Sequence, residues 1–230
     1  MKKATIFLML CVSINIAAQN SKWQIGATVS PDFSYRTLST SYDFGGLFDS
    51  DYGKLSYTAG VNAVYNFSEL FGLEAGISFA DFGYKMKVSV RESIDGPIYS
   101  STMRYSNYYI GIPIKANFSF GKNKFSYIAS VGFFTAFLID EKQVCTIPEI
   151  NERYVSTIKQ RDGESGFLSN YNRINIFPTV GFGVKYDLSD KFTLRAMPTF
   201  RFGAIKIYQQ SLIKKYLWNV GLEVGFFYNL

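Results

Sequence analysis

Six charged residues stand at alternate positions of segments that are otherwise small or apolar: Glu74, Lys115, Lys185, Arg195, Arg201 and Glu223. If those segments are strands, residues of one parity share one face, and all six point toward a common interior. A charge taken out of water there needs a partner, because leaving it unpaired is costly. Four cations and two anions would therefore form an ionic network that fills the interior of a closed sheet. The alternative use of the same set is a narrow pore or small-molecule site with a modest positive surplus.

Catalytic chemistry is harder to assemble. The chain has no His, which removes Ser-His-Asp and Cys-His arrangements and the commonest metal ligand. Cys145 has no His to activate it, and its only companion, Cys11, lies near the amino terminus. The expectation is a protein that is not an enzyme, with no cofactor and no metal site. The net charge of +6 includes Lys2 and Lys3, and the remainder is scattered, so no nucleic-acid partner is expected.

What must position the six residues is a set of two-faced strands. The last is the clearest: Trp218, Val220, Leu222, Val224, Phe226, Tyr228 and Leu230 alternate with Leu217, Asn219, Gly221, Glu223, Gly225, Phe227 and Asn229. One face is wholly apolar and the other carries Glu and Gly, as lipid outside and a packed polar interior require. The same period of two runs through 22–36, 54–67, 71–90, 101–120, 124–139, 171–187 and 191–207. Each segment is long enough to cross a bilayer as a tilted strand of about 9–11 residues. Aromatic residues near the strand ends read as interfacial anchors: Tyr84, Tyr108, Tyr127, Tyr186 and Trp218, with Phe71, Phe125 and Phe192.

Connection lengths alternate. Ser68-Glu69-Leu70, Gly121-Lys122-Asn123 and Ser189-Asp190 are short, whereas 37–53, 91–100 and 140–170 are long and 208–213 is of medium length. Outer-membrane barrels sort their connections this way, with tight turns on the periplasmic side. The segment 140–170 reads as one long non-strand loop, solvated or serving as a lid. In the first loop, Tyr42, Phe44, Phe48 and Tyr52 interleave with Asp43, Asp49 and Asp51, a tip suited to a partner or a cation.

The amino terminus reads as an export signal, with Lys2-Lys3, an apolar stretch through Ala18, and cleavage after Ala18 or Gln19. Residues 1–19 are thus expected to be a signal peptide and 20–230 a single barrel domain. No run of 18 apolar residues follows the signal, so membrane-spanning helices are excluded on length. The 22 Phe, 17 Tyr and 19 Gly of the 230 residues suit a closed antiparallel sheet in lipid.

Tyr108-Tyr109-Ile110-Gly111-Ile112-Pro113-Ile114-Lys115-Ala116-Asn117-Phe118 resembles a signature of the Bacteroidetes outer-membrane β-barrel family that includes the PorT-like proteins. Tyr127 to Leu138, Gly181-Phe182-Gly183 and the last strand fit the same resemblance. Gly111 stands where that family commonly has Glu, and the chain ends in Leu230 where an aromatic is more usual. The resemblance implies an eight-stranded barrel in the outer membrane, some members being linked to secretion.

The expected fold is all-β, an eight-stranded antiparallel up-and-down transmembrane barrel. The expected role is structural or interactive, in contact with outer-membrane lipid, lipopolysaccharide and an envelope protein partner. A soluble barrel of lipocalin type would instead turn the apolar face of 218–230 inward.

Overall fold

The structure, a computed structural model, describes residues 22–39, 51–91, 98–121, 124–147, 152–159, 171–209 and 214–230. The expected signal peptide and the tip of the first loop at 42–49 lie outside the described residues. Strands form where β-branched and aromatic residues alternate with small or polar ones. They are β1 (Trp23–Ser39), β2 (Asp51–Tyr52), β3 (Lys54–Asn66), β4 (Phe71–Arg91), β5 (Ile98–Phe120), β6 (Phe125–Ile147), β7 (Glu152–Lys159), β8 (Ile174–Ser189), β9 (Phe192–Phe202) and β10 (Lys214–Asn229).

Eight of these close a ring in which every pairing is antiparallel. It runs β1, β3, β4, β5, β6, β8, β9, β10 and back to β1, sealed by the register from Gln24↔Asn229 to Ser39↔Lys214. Closure leaves no sheet edge inside lipid, which an open sheet could not avoid. β2 and β7 stand outside the ring, paired to the upper parts of β4 and β6.

The face of each residue follows its parity. Val61, Ile77, Ile112, Phe182, Val220 and Leu222 point outward and are exposed, while Asn62, Glu74, Lys115, Thr179, Arg201 and Asn219 are buried inside. The apolar face of 218–230 turns outward, opposite to what a soluble lipocalin-like barrel requires. Rings of this outer surface gather in two belts. One joins Trp23 to Tyr65 (5.0 Å between centroids) and continues through Phe67, Phe71 and Phe118. The other joins Tyr57, Phe79 and Tyr108, and across the barrel Tyr35, Trp218 and Phe200. From Phe118 to Tyr108 on β5 is about 25 Å of height at ordinary strand rise and tilt, the thickness of the apolar band of such barrels.

Three short connections lie at the first belt, which we call the turn end. In one, the Phe67 and Ser68 N–H groups both donate to the Phe71 carbonyl. In another, Gly121 takes a φ of +133°, a conformation only glycine adopts readily. At the other, loop end, the strands outrun the expectation. Asp140–Ile147 continues β6 and Glu152–Lys159 returns as β7, so 140–170 is not one non-strand loop. Val144, Ile147 and Val155 supply β-branched residues there, whose preference for extended chain outweighs the mixed charges around them. In contrast, β9 stops at Phe202 rather than running to 207. The chain beyond it dips into the barrel mouth, where Asn175 accepts from the Ile205 N–H and donates to the Ile205 carbonyl, burying Ile207.

Candidate functional site: the lumen and the loop-end sheet

The interior is built in two layers. Toward the turn end, Glu74 on β4 holds two cations, Lys115 of β5 at 2.8 Å and Arg195 of β9 at 3.1 Å. Lys115 also reaches Glu223 of β10 at 2.7 Å, and Glu223 in turn holds Arg201 at 3.2 Å. Arg201 continues to Asp32 of β1 at 3.1 Å. Neutral donors add to these pairs: Asn117 on Glu74, and Ser30 and Thr58 on Asp32. Arg195 donates to the Gln24 side chain and lies 4.1 Å over the Phe227 ring.

Five of the six sequence-selected charges thus meet in one network, and Asp32 joins them. Lys185 does not. It sits at the turn-end rim, 3.7 Å from Asp187, because its direct cross-strand neighbour is Arg195 and two cations repel. With Asp32 included, Lys115, Arg195 and Arg201 face Glu74, Glu223 and Asp32. The expected positive surplus is therefore absent from this network, which removes the basis for a cationic pore or anion site. The cavity beside it, lined by Thr28, Asn62, Ser78, Lys115, Arg201 and Glu223 among others, has a volume of about 20 Å³. That is room for about one water.

Toward the loop end, the network gives way to packed rings. Phe82 meets Phe177 at 5.0 Å, Tyr109 at 5.9 Å and Phe134 at 6.2 Å, and Leu138, Ile207 and Leu217 close the layer. Tyr84 belongs to this interior and not to an interfacial belt. β4 runs on to Arg91, so Tyr84 is not at a strand end, and its parity with Glu74 and Phe82 turns it inward. There it stacks on Tyr105 at 4.6 Å and receives Arg36 at 3.9 Å. Tyr108, Tyr127, Tyr186 and Trp218 lie on the outward face.

Above the rings, Arg36 grips Asp51 through two bonds of 2.6 and 2.7 Å, pinning β2 to the barrel. Tyr171 and Tyr208 bridge the mouth through their hydroxyls at 2.9 Å. Beneath them lies Glu141, 2% exposed, with Oε1 accepting from Gln143 and Oε2 without a hydrogen-bond partner. Burial raises the Glu141 carboxyl above the usual carboxylate range, against the opposing pull of Tyr171, Gln143 and Lys215.

Sequence reasoning missed Asp32, Lys54, Asp81, Arg36 and Glu141, and it gave Asp51 to a loop tip for a partner or a cation, whereas Asp51 is held by Arg36. For the first there was a signal: Ser30, Asp32, Ser34 and Arg36 alternate with Pro31, Phe33 and Tyr35. Glu141 had none, because it sat in a segment read as a loop. Cys145 lies in strand β6 and not in a loop, opposite Met103, and is a free thiol. No group of His, Cys, Asp and Glu fit to hold a metal occurs among the described residues.

A closed antiparallel ring of eight strands, apolar outside, ion-paired inside and bounded by two aromatic belts, defines a transmembrane β-barrel of the outer-membrane kind. The chain belongs to the outer membrane protein beta-barrel domain family, which it matches over residues 17–230. Membership places it in the outer membrane. Solved structures similar to it include neisserial surface protein A (13% identity, 91% of this chain and 98% of that one, TM-score 0.45). The outer membrane protease OmpT from Escherichia coli is similar at 9% identity (90% and 96% covered, TM-score 0.47), and OprG from Pseudomonas aeruginosa at 13% (92% and 98%, TM-score 0.38). No curated protein matches the chain.

Proposed function

We propose that this protein is a non-catalytic interaction protein of the cell envelope, a sealed barrel that holds a projecting sheet above the membrane for an envelope protein partner. The reading rests on one observation: the lumen is filled by a charge-balanced network and a layer of rings, leaving a cavity of about 20 Å³. Eight strands leave an interior just wide enough for side chains, so a transported or bound molecule has no place inside. The loop end offers what the lumen lacks. β4, β5 and β6 rise well beyond the top of β9, and β7 extends them sideways with Tyr154 and Val155 exposed.

The resemblance of Tyr108–Phe118 to the PorT-like proteins fits membership in a secretion or envelope complex, exported by the signal at 1–19. Two measurements test the reading. A photo-crosslinking residue at Tyr154, on the inward face of the projecting sheet, should give a defined adduct with one envelope protein in intact cells, while one at Val220 on the lipid face gives none. The purified barrel should hold a closed baseline in planar bilayers. Steady single-channel steps, or no adduct at any position of β7, would overturn it.

A further inference from the structure

The outer face of the projecting sheet carries a concentration of positive charge that the interaction reading does not use. Outward parity on β4 leads from Phe79, past the buried Asp81, to Lys85 and Lys87, and on β5 from Tyr108, past the buried Ser106, to Arg104. On β6 the same face holds Asp140 and Lys142, and on β7 Arg153. Lys85 and Arg104 are direct cross-strand partners. Like charges placed opposite one another destabilise a sheet unless an anion lies between them. Among the described residues no carboxylate comes within ion-pair distance of Lys85, Arg104 or Lys142. Asp81 is engaged by Lys54. Burial pushes Lys54 down to about 8 despite Asp81, and Arg104 and Lys85 press it in the same direction.

The height of this patch identifies its counter-ion. Tyr57, Phe79 and Tyr108 mark the loop-end edge of the apolar band. Lys142 lies one row beyond Tyr108 and Arg104 two rows, which is about 5 and 10 Å higher at ordinary strand rise and tilt. That is headgroup depth, on the convex side that looks along the membrane rather than away from it. On the opposite wall Tyr35 and Phe202 lie in the belt row beside Trp218, with Tyr216 one row and the exposed Lys214 two rows beyond it.

From these observations we infer that Lys85, Arg104 and Lys142 form a docking surface for the phosphate groups of the phosphorylated glycolipid of the outer leaflet, lipopolysaccharide. Arg104 supplies a planar fork suited to phosphate oxygens, and the two lysines supply point charges on either side. A phosphate between Lys85 and Arg104 also relieves their mutual repulsion. One such lipid fixes the barrel's azimuth, with the projecting sheet backed by glycolipid and its concave side free. The inference rests on the loop end facing outward and stands apart from any protein partner.

The test uses the full mature barrel refolded in neutral detergent, with purified lipopolysaccharide added and the unfolding temperature read from the gel-mobility shift. Lipopolysaccharide should raise that temperature and bind saturably, with affinity falling as salt rises. Lys85→Gln, Arg104→Gln and Lys142→Gln together should weaken binding about a hundredfold, from the usual contribution of each cation near an anionic surface. The control pair Lys22→Gln and Lys191→Gln, exposed at the turn end, should bind like wild type. Equal binding of the dephosphorylated glycolipid, or full binding by the triple variant, overturns the inference. Equal stabilisation by phosphatidylglycerol or by inorganic phosphate overturns the choice of ligand and assigns the patch to generic anions. A triple variant that fails to refold is replaced by the single Arg104→Gln, on the exposed side of the sheet, expected at about fivefold weaker binding.

Discussion

Within the membrane band, and again above it, β4, β5 and β6 keep one parity rule while exchanging the chemistry of their faces. In the band, the outer face is Ile77, Ile110, Ile112 and Val131, and the inner face is Glu74, Ser78, Lys115 and Asn117. Above it, the outer face becomes Lys85, Arg104 and Lys142, and the inner face Tyr84, Met86, Tyr105 and Met103. The pairing of β4, β5 and β6 runs through the exchange with a single register shift at Tyr108/Tyr109. The pleat decides only that two faces differ. Which face is apolar is decided by the surroundings at that height: lipid outside in the band, water and headgroups outside above it. Polar residues inside the band persist because each acid has a base within reach, whereas the drier layer above relies on ring packing.

The largest consequence falls on the ionic layer. Glu74→Ala leaves Lys115 and Arg195 each short of a partner inside the barrel, and Asn117 loses its acceptor. The expected loss is about 3–5 kcal/mol, the cost of an uncompensated buried charge. Lys185→Gln removes a cation whose pair with Asp187 is 3.7 Å long and open to solvent, and should cost about 0–1 kcal/mol. Urea unfolding of both variants in lipid vesicles measures the difference. Similar losses would mean that the interior is wetter than a packed network allows.

The next consequence tests the exchange of faces directly. Leu222 in the band and Val155 on β7 are similarly exposed, 45% and 51%. Exposure to lipid and exposure to water are nevertheless different things. Leu222→Arg places a charge near the bilayer midplane and should destabilise the inserted barrel by about 2–4 kcal/mol. Val155→Arg stands above the apolar band, beside Arg153, and should shift stability by no more than about 0.5 kcal/mol. The amount of heat-modifiable protein in the outer-membrane fraction reads both. A strong defect from Val155→Arg would place β7 inside the apolar band.

Period-two alternation made the barrel legible, since a residue's face in a strand depends only on parity. Glu74, Lys115, Arg195, Arg201 and Glu223 could therefore be assigned a common interior before any register was known. Parity does not give height, so Tyr84 was placed at an interface although it lies among rings, and Lys185 was placed in a network from which it is separated. Nor does it give partners across the barrel: Arg201 and Asp32 are far apart in sequence and meet only because β1 closes on β10. The loop-end sheet was hidden by its composition. Glu141, Lys142, Glu152 and Arg153 suggest solvated loop, and only pairing with β5 makes strands of them.

The smallest effect lies at the junction of the two regions, at Glu141. It follows the inward parity of the band, where its acid would have found a base, yet it sits in the layer of rings, where Lys215 is a weak influence and Oε2 has no partner. Its carboxyl is raised chiefly by burial, so folding disfavours the ionised form. The native pKa being above the unfolded one, stability falls as pH rises from the ordinary carboxylate range through the raised native value, and the full cost is present beyond it. Glu141→Gln keeps the acceptor for Gln143 and removes the charge. At neutral pH the variant should be more stable by about 1 kcal/mol, the scale of an unsatisfied buried polar group. Below the ordinary carboxylate range, where wild type is itself neutral, the advantage should vanish. Thermal unfolding of both proteins across that pH series measures it. A Gln variant less stable at neutral pH would show that Glu141 is ionised and held by Lys215, and that the ionic chemistry of the band reaches one layer higher than the rings suggest.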